Sequence, residues 1–192
     1  PPLKELELEL AHARCAVKIG AGLLGDLPRL LRSFFGPVRP IVVADIHTER
    51  YARRIGGDLL TLPAGERTKS PRQLVRLWDS FARRRVDRHT PVVAVGGGVI
   101  GDLVGFAAAT YMRGVPLVQV PTSLLAQVDA AIGGKTAVNL PQGKNLAGAF
   151  YQPRMIIIDP SVLATLTGRS YRTGLAEAVK YGMIKDRTLF ER

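Results

Sequence analysis

The stretch Val92-Val93-Ala94-Val95-Gly96-Gly97-Gly98-Val99-Ile100-Gly101-Asp102 constrains the fold of this chain more than any other. A β-branched run enters a glycine cluster and leaves it as an apolar, alanine-containing segment, residues 103–112, so the order predicted is strand, tight turn, helix. Gly96, Gly98 and Gly101 fit G-x-G-x-x-G, a spacing in which missing β-carbons let backbone N–H groups and a helix N-terminus close on a diphosphate. The same glycines would also serve a plain turn, or close packing of a helix on a sheet. One detail departs from the dinucleotide fingerprint, which expects an acid about 20 residues on to hold a ribose. After Asp102 the next acid is Asp129, so any ribose contact has to come from elsewhere in the chain.

The rest of the chain alternates in the same way. Leu6, Leu8 and Leu10 interleave with Glu5, Glu7 and Glu9, the period of a half-buried strand, and residues 13–19 offer a second strand. After Gly20-Ala21-Gly22, residues 23–35 place Leu23, Leu24, Leu27, Leu30, Leu31 and Phe34 at helical spacing, and Gly36-Pro37 stops them. Residues 41–44 form a buried strand with Asp45 at its carboxyl end, the edge where open parallel sheets bind ligands. A short helix over 47–55, a strand over 59–62 and a loop over 63–70 follow. Ser70-Pro71 then caps a helix with Leu74, Leu77, Trp78 and Phe81 on its apolar face. Past the glycine strand come a strand over 117–120, a short helix reaching Val128, a loop region with lysines beside glycines over 129–145, and a strand over 155–158. A final helix over 173–184 carries Glu177, Lys180 and Tyr181 on one face. The fold class predicted is α/β, a mainly parallel sheet flanked by helices.

Charge enters because the formal net charge is +11. Such a balance suits nucleic acid, an anionic small molecule or an arginine-rich surface. Much of the excess is local: Arg83, Arg84, Arg85 and Arg88 sit where a helix should end, and its dipole favours cations there. Aromatic residues are 6% and none interleaves with these arginines, which argues against nucleic acid. No apolar run has the length of a membrane span, and residues 3–10 are too acidic for a signal sequence, so a cytoplasmic protein without membrane partners is expected. Cys15 is the single cysteine, which excludes an internal disulfide and a thiolate metal cluster.

Several longer motifs are more specific. Gly-Gly-Gly-Val-Ile-Gly-Asp (96–102), Tyr-Met-Arg-Gly (111–114), Val-Pro-Thr-Ser-Leu-Leu-Ala-Gln-Val-Asp (120–129), Gly-Gly-Lys-Thr-Ala-Val-Asn (133–139), Gly-Lys-Asn (143–145) and Gly-Leu-Ala-Glu-Ala-Val-Lys-Tyr-Gly (174–182) resemble, in this order, the signature of the 3-dehydroquinate synthase family. The resemblance runs over about residues 45–184. It implies a Rossmann-like NAD-binding α/β domain over 1–168, with only the first helix of a C-terminal helical domain over 169–192. It also implies a phosphorus–oxygen lyase of the shikimate pathway, dependent on NAD and a divalent metal (zinc or cobalt). Such an enzyme converts 3-deoxy-arabino-heptulosonate 7-phosphate, an anionic sugar phosphate, to 3-dehydroquinate and phosphate, and commonly works as a homodimer.

Position by position, the resemblance places Asp45, Glu66 and Lys69 on the adenosine side of NAD and Gly97, Gly98, Val99 and Asp102 at its diphosphate. Thr122, Ser123, Lys144 and Thr165 match further NAD contacts, Ser123 standing where threonine is usual. Asp129, Lys135, Asn145, Arg113 and Lys180 match substrate positions, and Glu177 matches a metal ligand. Cations such as Arg113, Lys135 and Lys180 suit a substrate carrying a carboxylate and a phosphate. Taken singly, each of these residues also has an ordinary reading, such as a surface helix pair for Glu177 and Lys180 or a turn residue for Lys144. A catalytic zinc site needs about three protein ligands. The histidines here, His12, His47 and His89, lie upstream and outside any motif of that kind. The chain is therefore expected to be part of a longer enzyme, to bind metal poorly and to turn over negligibly alone. Other sugar phosphate cyclases (2-deoxy-scyllo-inosose or valiolone type), a metal-dependent polyol dehydrogenase and a non-catalytic anion-binding or nucleic-acid-binding module are the alternatives.

Overall fold

A computed structural model describes residues 3–10 and 13–191; His12 lies outside them. Nine strands occur among the described residues: β1 (Lys4–Leu10), β2 (Ala13–Ile19), β3 (Ile41–Asp45), β4 (Asp58–Leu62), β5 (Val92–Gly96), β6 (Leu117–Pro121), β7 (Lys135–Leu140), β8 (Gly143–Phe150) and β9 (Met155–Ile158). The helices are α1 (Leu23–Phe35), α2 (Glu49–Ala52), α3 (Pro71–Arg83), α4 (Gly98–Thr110), α5 (Gly168–Lys185) and α6 (Arg187–Phe190). Seven strands form one sheet in the order β1-β2-β9-β6-β5-β3-β4. Every pairing in it is parallel except β1 with β2.

The strand alternation decides which helices pack where. Val43, Ala94 and Leu117 face α3 and α4, whereas Val42, Val93, Val95, Val118 and Ile157 face α1 and α2. Both faces are covered, so these strands read as continuous apolar runs. The edge strand is different: in β1 Leu8 packs against the cluster of Cys15, Val17 and Ile156, but Leu6 is 54% exposed, so the expected alternation buries only part of one face. Asp159, at the end of β9, is 2% exposed and accepts N–H bonds from Gly22 and Leu24, both at 3.0 Å, tying the start of α1 to the sheet. Burial works against its charge, but hydrogen bonds from Ser161, Leu24 and Gly22 outweigh it and hold the carboxyl below its ordinary range.

Several boundaries differ from those expected, and α5 begins at Gly168, five residues before the start expected at 173. Helix α4 begins at Gly98 and ends at Thr110, not over 103–112, because the glycines are its first turn. The helix expected over 47–55 shortens to α2. Residues 129–145 are largely not a loop: Lys135 opens β7 and Lys144 lies in β8, an antiparallel hairpin laid on α4. Alternating small and polar residues concealed those strands, since their outer face meets solvent.

The hairpin reaches α4 at Gly105, where an added Cβ would stand 2.5 Å from Cγ2 of Thr136. Gly105→Ala is therefore expected to destabilise the chain by about 1 kcal/mol net, overpacking exceeding the gain in helix propensity. Thr136→Ser removes that methyl but keeps the hydroxyl that donates to the Ala149 carbonyl at 2.7 Å. Calorimetric melting should show the second change recovering most of the loss in the Gly105→Ala background. Simple additivity of the two would refute the contact.

Candidate functional site

The glycine turn joins β5 to α4 at the carboxyl edge of the sheet, with Gly97 as N-cap residue and no side chain capping the helix. The first N–H groups of a 13-residue helix are thus left for an anion. Glycine is required for more than flexibility here. A Cβ at Gly96 would stand 2.7 Å from Cβ of Ile100, and one at Gly97 would stand 3.3 Å from Oγ of Ser123. Thr122, which is buried, donates its N–H to the Gly96 carbonyl at 2.9 Å, so the strand ends of β5 and β6 stay in step.

On one flank lies Asp45. Its Oδ1 accepts from the N–H groups of His47 and Thr48, both at 2.9 Å, and the Thr48 hydroxyl donates to the Val95 carbonyl at 2.8 Å. The turn after β3 is thereby fixed against the strand that carries the glycines. On the other flank, Lys69 is 5% exposed and its ammonium donates to both Asp102 of α4 and Asn145 of β8. Burial pushes the Asp102 carboxyl up, and the nearby Glu66 and Asp129 carboxylates push the same way, while the Lys69 ammonium opposes them. Glu66, exposed beside Lys69, accepts from Nδ2 of Asn139 at 2.7 Å, with the Lys144 ammonium 3.9 Å away.

Between α4, the hairpin and the 126–130 turn opens a cavity of about 490 Å³, whose lining includes Asp102, Asp129, Lys135, Asn145 and Phe150. Residues Ala126–Ala130 form a π-helical turn, whose hydrogen bonds span one residue more than an α-turn, where a short helix reaching Val128 was expected, and Asp129 lies in it. The Asp129 carboxylate accepts from the Tyr181 hydroxyl at 3.2 Å. Helix α5 meets the same segment: a Cβ on Gly174 would stand 2.5 Å from the Leu125 nitrogen. Glu177 is bonded by the Lys180 ammonium, whose pKa that bond raises.

The structure therefore gathers Asp45, Glu66, Lys69, Gly97, Gly98, Val99, Asp102, Thr122, Ser123, Asp129, Lys135, Lys144 and Asn145 at one sheet edge and its adjoining hairpin. Four expected residues, Thr165, Glu177, Lys180 and Arg113, stand outside this set. Thr165 is exposed and faces the Tyr51 hydroxyl at 3.1 Å. Glu177 and Lys180, neighbours on α5, are engaged with each other instead of lining the cavity. Arg113 follows the far end of α4, whose 13 residues rise about 20 Å from the glycine turn, and it does not line the cavity. Of the three expected substrate cations, Lys135 lines the cavity, and Lys180, its pKa raised first by the Glu177 bond, lies close enough to Asp129 in the cavity wall for that carboxylate to raise it too.

Comparison with known proteins fits this geometry. The family model for the N-terminal part of 3-dehydroquinate synthase matches residues 59–173, more than half of the chain. The chain belongs to the 3-dehydroquinate synthase family. A 3-dehydroquinate synthase of Thermosynechococcus vestitus is 49% identical over 188 residues, covering 91% of this chain and 51% of that protein. Among solved structures, a 2-deoxy-scyllo-inosose synthase complexed with carbaglucose-6-phosphate, NAD+ and Co2+ superposes with a TM-score of 0.85 at 29% identity, covering 94% of this chain and 52% of that one. A 2-epi-5-epi-valiolone synthase from Streptomyces hygroscopicus subsp. jinggangensis, with NAD+ and Zn2+ bound, gives 0.84 at 34% identity, covering 96% and 53%. The chain spans about half the length of the relatives it matches.

Two residues of this 3-dehydroquinate synthase family member escaped the sequence reading as site residues. Asn139 ends the 133–139 motif, and its signal is an asparagine pair, Asn139 and Asn145, bracketing Pro141-Gln142-Gly143. Tyr181 was placed on the face of Glu177, but nothing in the sequence showed that it reaches Asp129.

Lys69→Met is expected to leave Asp102 shielded from water without its cation and to cost about 3 kcal/mol at neutral pH. A carboxyl with a raised folded-state pKa contributes its stability below the unfolded-state value and loses it as pH rises through the folded one. Removing the ammonium raises Asp102 further, so the deficit should grow from mildly acid to neutral pH. Denaturant midpoints across that range, with Asp102→Asn added to Lys69→Met, provide the check. A pH-independent deficit, or no recovery in the double variant, would contradict the pairing.

Proposed function

We propose that this chain is the nucleotide-binding part of a 3-dehydroquinate synthase, an NAD-dependent phosphorus–oxygen lyase acting on 3-deoxy-arabino-heptulosonate 7-phosphate. The observation that carries this reading is the uncapped N-terminus of α4 opening beside a cavity that holds Asp102, Asp129, Lys135 and Asn145. NAD fits the residues present. A diphosphate suits the free N–H groups after Gly97; a Cβ on Gly98 would lie 3.6 Å from Ala130, so a larger side chain would occupy the cradle. Asp45 and Glu66 flank the turn as acceptors for ribose hydroxyls, answering the acid absent from the usual position.

When bound, NAD supplies reversible oxidation of a ring hydroxyl, which acidifies the neighbouring C–H and lets phosphate leave. The chain's own part is binding and orientation. Lys135, exposed in the cavity wall, offers a cation to the substrate's phosphate or carboxylate, and Asn145 offers amide contacts. Asp129, held by Tyr181, can accept a substrate hydroxyl.

A divalent metal is a different matter. No group of three or more His, Cys, Asp or Glu side chains that could hold a metal ion occurs among the described residues. Glu177 offers one carboxylate, already bonded to Lys180, so these residues alone do not make a metal centre. We assign residues 1–168 to the nucleotide-binding domain and residues 169–192 to the start of a helical domain. Exposed Leu175, Val179, Met183 and Ile184 on α5 support that division. A homodimer is part of the same reading, since Arg113 stands away from the cavity of its own chain. Among the described residues no helix is long and apolar enough to cross a membrane.

Titration calorimetry of the 192-residue chain should show NAD+ binding, and Gly98→Val should weaken it by at least about tenfold with an unchanged circular dichroism spectrum. No heat with the wild-type chain would overturn the nucleotide reading. Equilibrium dialysis with Zn2+ or Co2+ should reveal no tight site, and the chain alone should form no measurable dehydroquinate. Metal-dependent product formation would refute the incompleteness of the metal site. Phosphate release by a longer form of the protein, offered each cyclase substrate in turn, separates this reading from the inosose and valiolone enzymes. Lasting NADH accumulation would instead mark a polyol dehydrogenase.

A further inference from the structure

Asn139, at the inner end of β7, bonds to three separate parts of the site. Its backbone N–H donates to the Lys69 carbonyl at 2.9 Å. Its side-chain nitrogen donates to Oε1 of Glu66 at 2.7 Å, and its side-chain oxygen accepts from the Asn145 N–H at 2.9 Å. Asn145 in turn has a positive φ of 58° and takes the Lys69 ammonium on its own oxygen. The amide of Asn139 is therefore oriented at both ends, one end on the loop assigned to the nucleotide and the other on the hairpin that walls the substrate cavity.

We propose that Asn139 is a positioning residue through which dinucleotide binding orders the substrate side of the cavity. The inference rests on the nucleotide reading of Glu66. Glu66 is exposed, and among the described residues its second oxygen makes no hydrogen bond, while Lys144 stands 3.9 Å from the first. A ribose hydroxyl donating to that second oxygen would restrict the carboxylate's rotation. A carboxylate so fixed orients the Asn139 amide, whose other end then points steadily at the Asn145 N–H. Asn145 resists its left-handed backbone less when that N–H is satisfied, since non-glycine residues in this region carry a conformational penalty. The path is a chain of directed hydrogen bonds and needs no movement of the sheet. The backbone bond from Asn139 to Lys69 persists when the side chain is changed, so the hairpin stays docked and only the side-chain link is interrupted.

The test follows amide hydrogen exchange at Asn145 and the neighbouring hairpin residues, with and without saturating NAD+. In the wild-type chain NAD+ is expected to slow exchange at Asn145 by about tenfold. Asn139→Asp keeps the oxygen that accepts from Asn145 but sets a carboxylate against Glu66; it should reduce the slowing to less than about threefold at saturation. Adding Glu66→Gln supplies an amide donor opposite the new carboxylate and should restore the effect. Glu66→Ala, on the exposed turn, cuts the same link should Asn139→Asp fail to fold. If wild type and link-cut variants bind NAD+ and show equal slowing, the inference is wrong while the nucleotide reading stands. If the wild type does not bind NAD+, both fall together.

Discussion

One buried ammonium holds the site in shape. Lys69 leaves the loop after β4, passes out of solvent and binds Asp102 on the first turns of α4 and Asn145 on β8. Three elements distant in sequence thus share a single cation. Desolvating a lysine is costly, and the cost is offset here because both partners are strong acceptors in fixed positions. The glycine turn belongs to the helix so tethered, the hairpin to the cavity wall, and the loop to the exposed carboxylate Glu66. A change at Lys69 is consequently felt by the glycine turn and the cavity wall at once.

The formal charge of +11 gives a poor picture of this edge of the molecule. Asp45, Glu66, Asp102 and Asp129 gather around the glycine turn, and the mutual repulsion of three of them contributes to the raised Asp102 pKa. Such a set would repel a bare phosphate. It is suited to a ligand whose phosphates meet backbone N–H groups while its hydroxyls meet carboxylates, which is the division of labour a dinucleotide requires. The arginines that dominate the net charge lie elsewhere, at the end of α3 and in the turn that follows it.

The sheet was legible because its strands are buried on both faces. β3, β5 and β9 are short apolar runs, β6 is one interrupted only by Gln119, and α1 was bounded by glycines on both sides, so period and punctuation agreed. The hairpin was not legible, because Gly143, Ala147, Gly148 and Ala149 in β8 give no apolar alternation and the strand's residues stand largely exposed. Most site residues could be named because they sit in long ordered motifs. Their mutual bonds could not. Nothing in the spacing of Lys69, Asp102 and Asn145, or of Asp129 and Tyr181, shows that they touch, since those contacts depend on how α4, α5 and the hairpin pack. Arg113 shows the converse limit, a motif residue whose position in the fold takes it away from the rest.

The 121–130 segment explains why α5 belongs to the site although Glu177 does not line the cavity. Gln127 is 6% exposed and donates to the carbonyls of Pro121 and Asp159, both at 3.1 Å, so the segment is fixed to the ends of β6 and β9. From that base its start faces Gly97 through Ser123, its end faces Gly98 through Ala130, and its outer side meets Gly174 of α5. A regular α-turn would place Asp129 about 100° per residue along the helix; the wider π-turn alters that rotation, and Asp129 lines the cavity while still meeting Tyr181. The glycine turn and the helix carrying Glu177 therefore rest on one short, firmly anchored segment. Each is positioned relative to the other through it, so a chemistry shared between nucleotide and the Glu177 helix needs no direct contact between them in this chain.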